Sequence, residues 1–169
     1  MKTLICYSSK TGNIAKIAQA IHAAIPHADL HSVDENPDPN KYELIFIGFW
    51  VDKGTADDEA KKYMQRLNKQ AVALFATLGV YPDSQHASDS LENAAQLMPS
   101  CNIVARFISQ GTIDPKLTQS MSTLPADHPH APDAVARIKR WEDAKDHPDG
   151  TDCANAAQWA TNLMSNLSS

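Results

Sequence analysis

The chain has 169 residues, 43% of them hydrophobic, and a formal net charge of −5 at pH 7. That length and apolar content support one domain with a full core, and the mild acidity argues against a nucleic-acid footprint while permitting docking to a basic partner surface. There is no charged-then-apolar leader and no apolar run near twenty residues, so a cytoplasmic protein without membrane insertion is expected. Cys6, Cys101 and Cys153 lie far apart without C-x-x-C spacing, which indicates neither a disulfide framework nor a cysteine metal site.

Residues 2–7 (KTLICY) read as a strand, residues 8–13 (SSKTGN) as a tight polar loop, and Ile14, Ile17, Ala18, Ile21 and Ile25 as one face of a helix that Pro26 stops. A loop joining the C-end of a buried strand to a helix N-terminus gathers backbone N–H groups and the positive end of the helix dipole in one small volume, which suits a phosphate. Ser8, Ser9 and Thr11 add hydroxyl donors, Gly12 permits close backbone approach, and Lys10 brings a positive charge. The same small polar residues also cap helices, so local composition leaves both uses open. The loop is not a Walker A sequence, and no G-x-G occurs anywhere in the chain.

Residues 30–33 form a brief second strand, followed by a surface connection at 34–40 (DENPDPN). Residues 43–50 (ELIFIGFW) are almost unbroken in their apolarity, as expected of a central parallel strand covered on both faces. Ala56, Ala60, Tyr63, Met64 and Leu67 give a helical face, and residues 71–76 (AVALFA) a fourth strand. Leu91, Ala94, Ala95 and Met98 share a further face, with Asp89 and Glu92 spaced like a capping box. Residues 103–108 (IVARFI) are the fifth strand, and the closing helix runs through Ala156, Ala160 and Leu163 with Asp152 as its expected cap. This alternation implies an α/β architecture, an open parallel sheet with helices on both faces and ligands beyond the strand C-ends.

Three strand ends therefore carry the chemistry, at Ser8, Trp50 and Thr77. Trp50 serves either packing under a helix or a ligand at the loop mouth, and Tyr81-Pro82-Asp83 is by itself an ordinary turn. Between the fifth strand and the last helix, residues 112–151 form an insertion with a helix over 133–145, whose Trp141 is expected to pack back on the sheet. The insertion is open to use as a lid or as a partner surface. His128 and His130 beside Asp127 suggest a metal, but exposed His-Pro turns are the commoner use, and no metal site is assigned.

The stretch Y-S-S-K-T-G-N resembles the phosphate loop of the flavodoxin family, which wraps the phosphate of FMN; the match covers Ser9, Thr11, Gly12 and Asn13. It departs at Ile14, where the family usually has Thr, and Lys10 is the candidate compensation. The phrases GFWVDKGTAD, FATLGVYP and HPD-x-x-D are similar to a less studied branch that includes the flavodoxin-like accessory subunit of bacterial bilirubin reduction. The resemblance runs over about residues 1–111 and 152–167. It implies a flavodoxin-like three-layer sandwich with a five-stranded parallel sheet of order 2-1-3-4-5, and FMN as the cofactor. Ser8, Ser9, Lys10, Thr11, Gly12, Asn13 and Ile14 would then hold the phosphate. Trp50, Val51, Asp52, Lys53 and Gly54 would cover the inner face of the ring, Thr77, Leu78 and Gly79 its pyrimidine edge, and Tyr81 its outer face.

In the family, a glycine-containing peptide of the second loop turns its carbonyl toward the ring on one-electron reduction; Lys53-Gly54 is the candidate, since glycine accepts a positive φ. Carboxylates at Asp52, Asp57, Asp58, Glu59 and Asp83 would lower the ring's reduction potential, although Asp57 to Glu59 also suit a helix N-terminus. The resemblance thus implies one-electron transfer with a redox partner protein, either a reductase or an acceptor enzyme. Two alternatives stay open: an FMN-dependent NAD(P)H reductase of quinones or similar acceptors, and an interaction module without cofactor, for which Ile14 speaks. Neither H-E-x-x-H nor G-x-S-x-G is present to support side-chain catalysis.

Overall fold

Residues 44–52 are apolar on successive positions because both faces of that strand are covered. In a computed structural model, which describes residues 1–125, 127–128 and 134–169, β1 (Thr3–Tyr7), β2 (Asp29–Ser32), β3 (Leu44–Asp52), β4 (Thr55–Ala56), β5 (Ala71–Leu78) and β6 (Asn102–Gln110) form one sheet. The five long strands are parallel in the order β2-β1-β3-β5-β6, and the two-residue β4 folds back antiparallel on the end of β3. This is the expected 2-1-3-4-5 order with one short hairpin added.

The helices α1 (Asn13–Ala24), α2 (Asp58–Met64), α3 (Gln85–Ala95), α4 (Pro115–Ser122), α5 (Ala134–Ala144) and α6 (Gly150–Leu167) complete the described elements. On one face of the sheet Ile45, Ile47 and Phe49 of β3 meet Tyr63 and Met64 of α2 and Leu91 of α3. On the other, Leu44 and Phe46 meet Ile17 and Ile21 of α1 and Ala160 of α6. Trp159 of α6 sets its ring edge-on to Phe46 at 5.5 Å between centroids and lies 5.5 Å from Phe107 of β6. Among the described residues no helix is long and apolar enough to cross a membrane.

Gly48 marks where this packing is tightest. A Cβ there would stand 2.3 Å from two ring carbons of Phe75 and 3.0 Å from Ile14 Cγ2. Gly48→Ala is expected to lower the unfolding free energy by about 2 kcal/mol, since neither a buried ring nor a buried isoleucine can withdraw. A urea titration with unchanged slope and lower midpoint is the expected record; an unchanged midpoint would show that the core has slack here.

Several local signals resolve differently from the sequence reading. The cap of α3 is Ser84, whose hydroxyl accepts from Ala87 N at 3.2 Å. Asp89 and Glu92 lie inside that helix, bonded to Gln85 and Arg106. The cap of α6 is Asp149, with Asp152 three residues on returning the bond in a capping box. Helix α4, which Asp114 caps, was not expected; Pro115 at its first turn is the signal that pointed to it.

Candidate functional site

The loop after β1 turns through Gly12, whose φ of +96° places it in the left-handed region at the N-cap of α1. The Ser9 hydroxyl accepts from Ala15 N at 3.2 Å, which keeps its own hydrogen for another acceptor. Among the described residues, none accepts from the backbone N–H groups of Ser9, Lys10, Thr11, Gly12 and Asn13. Five consecutive donors beside a helix N-terminus and the Lys10 ammonium make a donor set for a phosphate monoester.

Two expected members of this set are used elsewhere. Ser8 donates its N–H to Gly48 O at 2.9 Å and its hydroxyl to Asp57 Oδ1 at 2.7 Å, so it anchors the loop to the scaffold. Ile14 is 1% exposed and its side chain faces Gly48 in the core. A hydroxyl at that position would point into the packing; only its backbone belongs to the loop.

Below this loop lies a cleft of about 350 Å³ at the C-ends of the strands. Lys10, Thr11 and Asn13 form one wall, Trp50, Val51 and Asp52 of β3 a second, and Thr77, Leu78 and Gly79 a third. All nine were expected. The fourth wall, Gly111 to Asp114 with Leu117, was not, although the rule that ligands sit beyond strand C-ends covers β6 as it covers the others. Asn13 ties it in by donating from Nδ2 to Thr112 O at 2.9 Å. Close approach needs two glycines here: a Cβ at Gly111 would stand 2.8 Å from Asn13 Nδ2, and one at Gly79 2.5 Å from Ile113 Cγ1.

Trp50 is half-buried, with Lys10 Nζ 5.7 Å from its ring centroid, and it divides the cleft from an acid-lined hollow that holds Asp34, Asp52, Asp57, Asp58 and Glu59. Asp57 is 2% exposed and accepts from Ser8 Oγ, Ala60 N at 3.2 Å and Trp50 N at 3.3 Å. Burial nevertheless outweighs those bonds and pushes its carboxyl above the ordinary range. Asp57 is thus a buried cap, whereas Asp58 and Glu59 are in the exposed first turn of α2. Asp83 lines neither hollow, and the cation at the cleft is Lys10.

Lys53, Gly54 and Tyr81 do not line the cleft. Lys53 and Gly54, with φ of 51° and 78°, are the two-residue turn of the β3–β4 hairpin, the type I′ geometry that favours glycine. Gly54 O accepts from Asn93 Nδ2 at 2.8 Å, which holds this turn against α3. Tyr81 donates its hydroxyl to Asp143 of α5 at 2.7 Å, and that bond raises its own pKa. Leu117 and Ile113 line the cleft. Trp141 lines a separate hollow together with Val51 and Leu78.

The HPD-x-x-D stretch turns the chain into α6. His147 Nδ1 lies 2.5 Å from Asp152 Oδ2, and this bond raises the imidazole pKa above its ordinary value. A histidine with a raised folded pKa adds stability that is complete below the unfolded value, about 6.5, and is lost as pH rises through the folded one. The stability lost in His147→Gln should therefore be largest near pH 5 to 6 and shrink as pH rises through the folded pKa, as read by melting temperature across a pH series. A difference that does not change with pH would rule out this ion pair. His147, Asp149 and Asp152 have ligand-type atoms within 4.8 Å of one another, but both carboxylates are committed to capping α6. The His128-x-His130 pair falls partly outside the described residues.

A parallel sheet whose switch point, between β1 and β3, carries both a cleft and a run of N–H donors that no described residue accepts from defines a doubly wound α/β protein. Comparison with known proteins agrees: the Flavodoxin domain family matches residues 4–161. The chain belongs to the flavodoxin family. It is 32% identical over 173 residues to the flavodoxin-like domain-containing protein BilS of Clostridioides difficile, covering 97% of each chain. Among solved structures it is similar to oxidised Flavodoxin 2 from Bacillus cereus, with a TM-score of 0.63 and 14% identity over 98% of this chain and 99% of that one. A flavoprotein in complex with FMN from Lactobacillus acidophilus aligns with a TM-score of 0.54 and 20% identity, over 63% of this chain and 92% of that one.

Proposed function

We propose that the cleft binds FMN and that the protein passes electrons to or from a redox partner protein. The observation that carries this reading is the joining of five unpaired N–H donors and Lys10, at one end, to a cleft walled by Trp50, Leu78 and Ile113 at the other. The first suits a phosphate monoester and the second a flat, largely apolar ring. Ser9, Thr11 and Asn13 would hold the phosphate, while Thr77, Leu78 and Gly79 would lie along the ring's polar edge. Bound flavin supplies one- and two-electron redox chemistry; the chain's part is to hold it, exclude water and set its electrostatic surroundings. Asp52, which lines the cleft as well, and Asp34, Asp58 and Glu59 in the hollow beyond Trp50 put negative charge near that ring, which disfavours its anionic reduced form.

The test is a titration of the cofactor-free protein with FMN, followed by stepwise photoreduction of the complex under argon. Tight one-to-one binding with a one-electron-reduced stage supports the carrier. Direct two-electron reduction together with steady NAD(P)H oxidation by the isolated protein moves the reductase ahead. No binding at micromolar FMN sinks both.

A further inference from the structure

The segment between β6 and α6 does more than close the cleft. Helices α4 and α5 enclose a second hollow of about 220 Å³, and Ile113 and Leu117 wall both spaces. Its remaining side chains are sorted by charge. Arg137 and Arg140 of α5 and His86 of α3 line it, and among the described residues no carboxylate does, in a chain that carries more acidic than basic residues. Arg137 is 8% exposed and its guanidinium lies 5.3 Å from the centroid of the Trp141 ring. Arg140 is half-buried and makes no ion pair among the described residues, while the nearby Asp143 is held by Lys139 and Tyr81.

Two guanidinium groups beside an indole face and an aliphatic wall match one kind of guest. We infer that this hollow is a binding site for a small organic anion with a flat unsaturated body. Its oxyanion group is held by Arg140 and Arg137, and its body lies against Trp141 and the Ile113–Leu117 wall. Guanidinium is the side chain that pairs an oxyanion through two parallel N–H donors, and both Arg140 and the indole are already partly desolvated, which strengthens that pairing. The shared wall places such a guest next to whatever occupies the cleft. The further statement that the guest is an electron acceptor or donor rests on the FMN reading above; the binding site itself does not.

Anthraquinone-2-sulfonate is the probe, titrated by calorimetry into the FMN-loaded protein, with uncharged menadione as its comparison. One-to-one binding of the sulfonate is expected, weakened about tenfold in Arg140→Gln, with menadione changed less than about twofold. Arg137 is left intact because it is buried, and Arg140→Glu, checked for an unchanged melting curve, is expected to weaken sulfonate binding further than Arg140→Gln does. A nucleotide phosphate is the other source of an oxyanion: NADP⁺ binding that depends on Arg140 and displaces the sulfonate would assign the site to it. Equal sulfonate affinity in the parent and Arg140→Gln overturns the inference, as does menadione binding as tightly as the sulfonate. Where FMN does not load, the cofactor reading fails by itself, and the same titration on the protein alone still decides this one.

Discussion

Asp57→Ala is expected to lower the unfolding free energy by roughly 3 kcal/mol, the largest loss of any single truncation at the site. The carboxylate is 2% exposed and serves three donors at once: the Ser8 hydroxyl, Trp50 N and Ala60 N. Removing it uncaps α2 and strands buried donors, each of which costs about 1 to 3 kcal/mol when left unmade. Asp57→Asn keeps an acceptor for Ala60 and should lose only about 1 kcal/mol. Both variants also differ from the parent in their pH dependence. Burial holds the folded pKa of Asp57 above its unfolded value. The folded state therefore binds a proton more readily than the unfolded one, and stability rises as pH falls from neutral through the folded pKa until the ordinary carboxyl range is reached. Neither variant has such a group, so the deficit of each relative to the parent should be smallest at neutral pH and grow on acidification. Denaturant titrations at several pH values read both effects; a pH-independent difference would mean that the carboxyl is not shifted.

Asp57 also shows where the sequence stopped being informative. The strand order and both helical layers were legible, because β3 is apolar on consecutive positions and α1 repeats isoleucine at helical spacing. The nine cleft residues on the first three walls were legible for the same reason: each lies at or just beyond the C-end of a strand that was readable. What could not be read was which polar group a side chain would choose. Ser8 looks like a phosphate donor until Asp57, 49 residues on, takes its hydroxyl. Tyr81 looks like a ring cover until Asp143 takes its phenol, and Ile14 like a lost hydroxyl until Gly48 shows that the position faces the core. These choices depend on long-range contacts that no local pattern encodes. Lys53-Gly54 was read as the peptide that turns toward the ring, because glycine accepts a positive φ; both residues have one, and their place against α3 depends on Asn93. The fourth wall was missed because Gly111 and Thr112 have no composition of their own; only the geometry of β6 brings them to Asn13.

The second large effect concerns the ligand. On the FMN reading, riboflavin, which lacks only the phosphate, is expected to bind about a thousandfold more weakly than FMN, a difference of about 4 kcal/mol. Hydrogen bonds to a charged group contribute about 1.5 to 3 kcal/mol each, so two or three of the five N–H groups at Ser9 to Asn13 account for it without any contribution from the apolar walls. Lys10 is exposed, and its share is screened: Lys10→Ala should weaken FMN by no more than about tenfold, and by less as salt is raised. Gly12→Val separates the backbone from the charge. Nothing lies within 4 Å of where its Cβ would be, so the substitution meets no steric wall; its φ of +96° is the obstacle. A β-branched residue resists that conformation, and the loop must relax away from it, which redirects the N–H groups. FMN affinity should then fall by about a hundredfold while riboflavin affinity stays within about twofold of the parent, because only the phosphate uses this loop. Equal losses for both ligands would place the defect in the cleft as a whole. Equal affinities of FMN and riboflavin for the parent protein would mean that the loop after β1 caps its helix and does nothing more.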